Sequence, residues 1–235
     1  MDAQLKTLIE LQILDTKIAG LEAEAAKLPR EIAAIHAQIA EARAALDGAK
    51  AKLDTARKDT RAKEKEVDDL QVKRQKFEGQ LYQVKTNKEY SALLQEIEDV
   101  KQHKGRMEEE ILTLMERQER LTGEIREAET RLKVVESQGA ADEAVLKGRL
   151  AEVEGQLAHV RGDRRGVSKD LPPNVLGDYE RLLKARSGLA LAPVTKPNLC
   201  SGCRMTVTPQ RLQELKAQNA LLSCESCGRI LYWVA

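Results

Sequence analysis

The chain has 235 residues, of which 33% are charged and only 3% aromatic, with a formal net charge of +1. This composition, rich in Ala, Glu, Lys, Leu and Arg, belongs to long solvent-exposed helices and excludes a thick globular core, while the near-neutral balance excludes any global pull toward nucleic acid or membrane. No apolar run approaches the ~20 residues that span a bilayer, and Met1-Asp2-Ala3-Gln4 lacks the basic and apolar regions of a signal peptide, so a soluble cytoplasmic protein is expected.

From the N-terminus the apolar residues recur in heptads. Steps of seven from Leu14 give Leu21, Leu28, Ile35, Ala42, Ala49, Ala56, Lys63, Leu70, Phe77 and Val84; steps from Leu11 give Ile18, Ala25, Ile32, Ile39, Leu46, Leu53, Thr60, Val67, Arg74 and Leu81. The two tracks interleave at three and four residues, the seam of a coiled coil. The seam is weakest at Thr60 and Lys63, where it is expected to loosen or admit water. Pro29 removes one helical hydrogen bond and predicts a kink or short break near Leu28, after which the heptad resumes in phase.

The pattern stops at Val84-Lys85-Thr86-Asn87-Lys88-Glu89-Tyr90. Thr86 and Glu89 match a capping box, in which the hydroxyl satisfies an orphan N–H and the carboxylate reaches back to the cap's own N–H, so a helix begins here. Beyond it Leu93, Val100, Met107, Leu114, Leu121, Ala128 and Val135 form one track and Ile97, Lys104, Ile111, Gln118, Ile125 and Leu132 the other. Leu146, Leu150, Val153, Leu157 and Val160 continue in a shifted phase, which predicts a stutter or local unwinding near Gly139. Two arms of about 80 residues, folded back at Thr86, bury each other's seams in a rod of roughly 120 Å. A straight helix dimerising in parallel is the competing arrangement; the cap and the equal arms favour the hairpin, as a monomer or weak homodimer.

Lys169-Asp170-Leu171-Pro172-Pro173 ends the rod, and Pro173 can open a further helix through Asp178 to Leu183, closed by Gly188. Leu189 to Val194 reads as a strand or packed linker. Then come the chain's only cysteines, in two Cys-x-x-Cys pairs: Cys200 and Cys203, Cys224 and Cys227, with twenty residues between the pairs. Two thiolate pairs at this separation are the ligand set of one tetrahedral zinc, and with no cysteine left over this reading outweighs disulfides or redox thiols. All four positions are thiolates and none is left open for water or substrate, so one structural Zn2+ per chain is expected. Gly202 and Gly228 are expected at positive φ in the two knuckles. Thr208-Pro209 predicts a small helix to about Ala217, and Ile230 to Val234 a terminal strand. The fold class is therefore mainly α: an antiparallel coiled-coil hairpin over 1–170 with its tip near 85–90, a short helix and linker over 171–195, and a small α+β zinc ribbon over 196–235.

Cys200-Ser201-Gly202-Cys203, Thr208-Pro209-Gln210 and Cys224-Glu225-Ser226-Cys227-Gly228-Arg229-Ile230-Leu231-Tyr232 together resemble the bacterial C4-type zinc-ribbon family that carries a long N-terminal helical hairpin. Asn87-Lys88-Glu89-Tyr90-Ser91-Ala92-Leu93 with Glu96-Ile97 is similar to that family's hairpin tip. The resemblance covers essentially the whole chain. It implies a non-enzymatic, nucleic-acid-binding or transcription-linked protein, some relatives being associated with an alternative sigma factor and with flagellar gene expression.

Charge distribution bears on this independently. Residues 161–235 hold twelve Lys or Arg against six acids, leaving the rod acidic. Even after four thiolates around a divalent zinc, the C-terminal part keeps about +4. Lys196, Arg204, Arg211, Lys216 and Arg229 are the candidate phosphate contacts for RNA or DNA, and ordinary solvated cations are the plain alternative. Trp233 and Tyr232 are expected to pack under the knuckles, leaving no aromatic platform for single strands. Lys85, Asn87, Lys88, Glu89 and Tyr90 are the candidate protein-docking tip, for which RNA polymerase or a sigma factor is the partner to consider; a cap with Tyr90 packed beneath it is the plain reading. His36, His103 and His159 lie far apart, and Glu108, Glu109 and Glu110 read as a solvated helical face, so no enzyme, small-molecule substrate or membrane partner is expected. Two classes remain: an adaptor that holds nucleic acid and recruits protein, and a pure protein-docking factor.

Overall fold

The computed structural model describes residues 3–217 and 221–233. Val234, expected to end the terminal strand, lies outside the described residues, as do Met1 and Asp2. The elements are α1 (Ala3–Leu81), α2 (Asn87–Ser168), α3 (Pro173–Ala185), β1 (Leu191–Thr195), β2 (Leu199–Cys200), α4 (Pro209–Ala217), β3 (Leu222–Ser223) and β4 (Ile230–Trp233). They form two compact units, one of Met1–Ala33 with Glu143–Ala235 and one of Ala34–Asp142.

In the second unit α1 and α2 pair antiparallel within the chain. Arg43 meets Glu136, Lys50 Nζ lies 3.0 Å from Glu129 and Lys63 Nζ 2.7 Å from Glu110, while Lys104 donates to Gln71 at 3.1 Å, so partners on α2 fall in number as those on α1 rise. The hairpin, and not a parallel dimer, is what buries the seam. Leu46, Leu53, Ala56, Val100, Met107 and Leu121 are its most buried apolar residues.

The seam does not loosen at its polar layer. Thr60 is only 7% exposed and accepts a 2.7 Å hydrogen bond from Gln118 Nε2 while donating to the Ala56 carbonyl at 2.9 Å. A buried hydroxyl with both partners supplied costs little, and the layer closes without needing water. Lys63 snorkels beside it to Glu110, its apolar stem in the seam.

Gly139 is where the phase shifts. Seam positions step from Val135 to Gly139 to Glu143 to Leu146, two successive steps of four, and α2 runs on unbroken. The stutter is therefore present, within a helix that is not interrupted. A Cβ at Gly139 would come 3.0 Å from Ile35 Cγ2 and Ile39 Cδ1, so the missing side chain is what lets the helices approach here. Gly139→Leu is expected to cost about 1–3 kcal/mol by overpacking, read as a lowered urea midpoint.

In the first unit Leu21 and Leu28 of α1 pack on Val153 and Val160 of α2. The helix passes through Pro29 without the break expected near Leu28. Leu28 is anchored in this cluster, and Pro29 itself is exposed, so its ring is accommodated on the solvent side of the helix. Pro172, extended at φ −60° and ψ 142°, precedes Pro173 at the first turn of α3. Tyr179 of α3 is fully buried against Leu5, Leu8 and Leu11.

The four-stranded sheet has the order β2-β1-β4-β3. The stretch ahead of the cysteines is no mere linker: β1 is a central strand, parallel to β4 with Leu191 opposite Ile230 and Val194 opposite Trp233. Alternation along β4 divides the sheet's faces. Leu231 and Trp233 belong to the cluster around the cysteines and α4, and Ile230 and Tyr232 to the cluster on α1 and α3. Trp233 therefore packs by the knuckles as expected, whereas Tyr232 faces the hairpin base.

Candidate metal centre

The two Cys-x-x-Cys turns are built alike. Cys200 N–H donates to the Met205 carbonyl at 3.0 Å and its own carbonyl accepts from Arg204 N–H at 2.7 Å; Cys224 repeats this with Arg229 and Gly228 at 2.8 Å each. The residue after each second cysteine takes a left-handed conformation, Gly228 at φ 74° and Arg204 at φ 62°. Positive φ at Gly202 is thus not observed. Gly202 serves a close approach instead, since a Cβ there would sit 2.6 Å from Cδ of Arg229.

All four thiols are free, and their sulfurs lie within 4.8 Å of one another. Cys200 Sγ is 3.9 Å from Cys227 Sγ, and Cys203 Sγ is 3.7 Å from Cys224 Sγ. A tetrahedron with Zn–S bonds of about 2.3 Å has edges of ~3.8 Å, so the set fits one zinc ion. Burial pushes the Cys200 thiol up to about 12 against the N–H groups of Cys203 and Gly202, and raises Cys224 in the same way. Burial acts on Cys227 too but is outweighed by hydrogen bonds from Arg229, which bring it to about 7. Four crowded, mostly buried sulfurs are an unfavourable core; a divalent cation that holds them as thiolates resolves it.

The cations proposed from sequence have different surroundings. Arg229 donates through Nε to the Leu189 carbonyl at 2.8 Å and through Nη2 to the Arg186 carbonyl at 3.2 Å. Lys216 Nζ stands 4.9 Å above the Trp233 ring, and Arg211 lies 3.4 Å from both Glu214 and Glu225. Lys196, in the β1–β2 turn, and Arg204 are exposed and have no ion pair among the described residues.

At the tip the capping box is formed. Thr86 N–H donates to Glu89 Oε2 at 3.3 Å, the Thr86 hydroxyl to the same oxygen at 2.8 Å, and Glu89 N–H to Thr86 Oγ1 at 3.3 Å. Lys85, Asn87 and Lys88 are exposed, and Tyr90 is 47% exposed and not packed beneath the turn. Tyr82, 91% exposed, joins them and is not singled out by the sequence pattern; its one signal is its place between heptad positions Leu81 and Val84.

Sequence reasoning also misses the residues that seat the ribbon on the hairpin base. Gln12 Oε1 accepts from Ala190 N–H at 2.7 Å and Leu191 N–H at 3.2 Å, while its Nε2 donates to the Gly188 carbonyl at 2.8 Å. Asp15 accepts from Arg164 Nε at 2.6 Å and from the Tyr179 hydroxyl at 2.7 Å, and Arg164 also reaches Glu180 at 3.2 Å. Burial, and after it the Asp15 carboxylate, holds the Tyr179 phenol well above its ordinary range; the bond to Asp15 likewise raises Arg164.

Fold and site together define a coiled-coil hairpin protein carrying a C4-type zinc ribbon. Residues 11–187 match the CT398-like coiled coil hairpin domain and residues 199–231 the C4-type zinc ribbon domain. The chain belongs to the CT398-like coiled-coil hairpin family. Solved structures share its fold, among them the following three. CT398 from Chlamydia trachomatis superposes with a TM-score of 0.87 at 24% identity, covering 98% of each chain. The HP0958 protein from Helicobacter pylori gives 0.67 at 18%, covering 99% of this chain and 98% of that one. A protein from Mycobacterium smegmatis gives 0.73 at 19%, covering 97% of each. Comparison with curated protein sequences finds no match. No helix among the described residues is long and apolar enough to cross a membrane.

Proposed function

We propose that the protein is a non-enzymatic cytoplasmic adaptor in bacterial gene expression, whose hairpin tip captures a protein partner and whose ribbon holds RNA or DNA. The observation that carries the docking arm is the tip: its backbone is already satisfied by the Thr86–Glu89 cap, so Tyr82, Lys85, Lys88 and Tyr90 stand in water without serving the fold. The Glu89 carboxylate is engaged in that cap, which leaves the tip's open charge cationic. An acidic face on RNA polymerase or a sigma factor is the partner this chemistry fits. Replacing Tyr82 and Tyr90 with Ala and Lys88 with Glu is expected to abolish capture of that partner with helical circular dichroism unchanged; unchanged capture removes the tip from the reading.

The nucleic-acid arm rests on Lys196 and Arg204, the two ribbon cations left exposed and unpaired among the described residues; Arg211, Lys216 and Arg229, occupied within the chain, are secondary contacts in this reading. Lys196→Ala with Arg204→Ala is expected to lower the slope of log affinity against log salt by about 1.4 for a single-stranded oligonucleotide, at ~0.7 for each phosphate no longer neutralised. No retention of wild-type protein by RNA or DNA at low salt would leave only the protein-docking factor.

A further inference from the structure

Arg229 touches three things that lie far apart in the chain. Its carbonyl accepts the N–H of Cys224 in the second knuckle at 2.8 Å. Its side-chain stem lies over Gly202 in the first knuckle, so close that a Cβ there would meet Arg229 Cδ at 2.6 Å and Nε at 2.9 Å. Its guanidinium holds the carbonyls of Arg186 and Leu189, at the C-terminal end of α3 and just past it, where a cation also meets the negative end of the helix dipole. The same segment is gripped from the hairpin side by Gln12, through Gly188, Ala190 and Leu191. Ile230 N–H closes the arrangement by donating to the Ala190 carbonyl at 3.0 Å. Residues 186–191 are thus a joint between the knuckles and the base of the hairpin.

We infer that Arg229 is the positioning residue through which zinc binding and the seating of the ribbon on the hairpin base become one coupled equilibrium. Arg229 can lie over Gly202 only while the first knuckle stands against the second, and what holds the two knuckles together is four sulfurs sharing one ion. When the knuckles part, the stem loses its platform and the guanidinium loses its aim at the two carbonyls. By linkage the converse holds: seating residues 186–191 on the hairpin base strengthens zinc binding by the same factor by which zinc strengthens seating, so a change that unseats them weakens zinc binding. This coupling is a property of the chain itself and is independent of which partner the adaptor takes.

The test uses the full chain and two readouts: zinc affinity by competition with a chromogenic chelator, and hydrogen exchange at the amides of Ala190 and Leu191, whose protection reports seating. Stripping zinc from the wild type is expected to speed exchange at both amides at least tenfold. Arg229→Gln is expected to bind one zinc per chain at saturating metal, with affinity lowered about ten- to a hundredfold, the range for loss of a residue that orients metal ligands, and with the same two amides deprotected. Arg229→Lys, which keeps a donor, should recover part of both. Gln12→Ala is read by zinc affinity alone, because it removes the acceptor of those amides directly; it too should weaken zinc although it is no part of the sulfur cluster. Fast exchange that does not follow zinc removal, or wild-type zinc affinity in either Arg229→Gln or Gln12→Ala, would overturn the inference. If Arg229→Gln does not fold, the Gln12→Ala affinity decides.

Discussion

Removing zinc from the intact protein is expected to unfold the ribbon while leaving the helical circular dichroism nearly unchanged. The strands that frame the knuckles, β2 and β3, are two residues each, and three of the nine residues in the core around them are the cysteines Cys200, Cys224 and Cys227. Without metal that core is a cluster of crowded thiols with too little apolar area to offset chain entropy. The apparent free energy of about 10–16 kcal/mol for a structural zinc site is of the size needed to hold it. The helices α1 and α2, at 79 and 82 residues, dominate the far-ultraviolet signal and bury their seams independently of the sulfurs. Trp233 is the only tryptophan and packs against the cysteine core, so its emission isolates the ribbon. A chelator titration should shift Trp233 emission to the red with a midpoint that tracks zinc release; unshifted emission after complete release would show a ribbon that stands without its ion.

The second large effect is expected at Asp15. Its carboxylate has only 9% side-chain exposure and is shared by Arg164, itself 21% exposed, and the Tyr179 hydroxyl, so Asp15→Ala leaves a mostly buried guanidinium and a buried phenol without their acceptor. Breaking a buried pair from one side costs about 3–5 kcal/mol, and the residual exposure of Arg164 together with its bond to Glu180 places the expected loss near the lower figure. Urea unfolding followed at Trp233 should show it. Adding Arg164→Leu to Asp15→Ala should recover part of the loss, because the stranded charge goes with it; strictly additive losses would mean that the two side chains do not act on each other.

Legibility in the sequence follows distance along the chain. The heptad tracks, the Thr86–Glu89 cap, the Pro172-Pro173 stop and the cysteine pairs are local patterns, each carrying its own physical cause within a few residues. Gln12 and Asp15 carry no such pattern: they are polar residues between apolar seam positions, and the partners that give them their role lie 149 to 179 residues away. The same holds for β1, whose parallel pairing with β4 is a tertiary event that a short apolar run cannot announce. Gly202 stands out in the sequence for the wrong reason, since a left-handed turn and a close approach by another side chain both call for glycine, and only the tertiary structure separates them. Thr60 looks like a weak point because its partner Gln118 sits on the other arm, 58 residues on.

That single hydroxyl–amide bond also decides which residues come to lie at the turn. Sliding one arm past the other by a heptad would set Ile111 or Ile125 opposite Thr60 and strand both the hydroxyl and the carboxamide of Gln118 among aliphatic side chains, at about 1–3 kcal/mol for each orphaned group. The adjacent seam positions Leu53, Ala56, Ile111, Leu114, Leu121 and Ile125 are aliphatic and tolerate the slip, and Lys63 adds to the alignment through Glu110. The Thr60–Gln118 pair therefore works as a vernier for the hairpin, and replacing both by leucine should yield a tighter seam whose alignment is less strictly fixed.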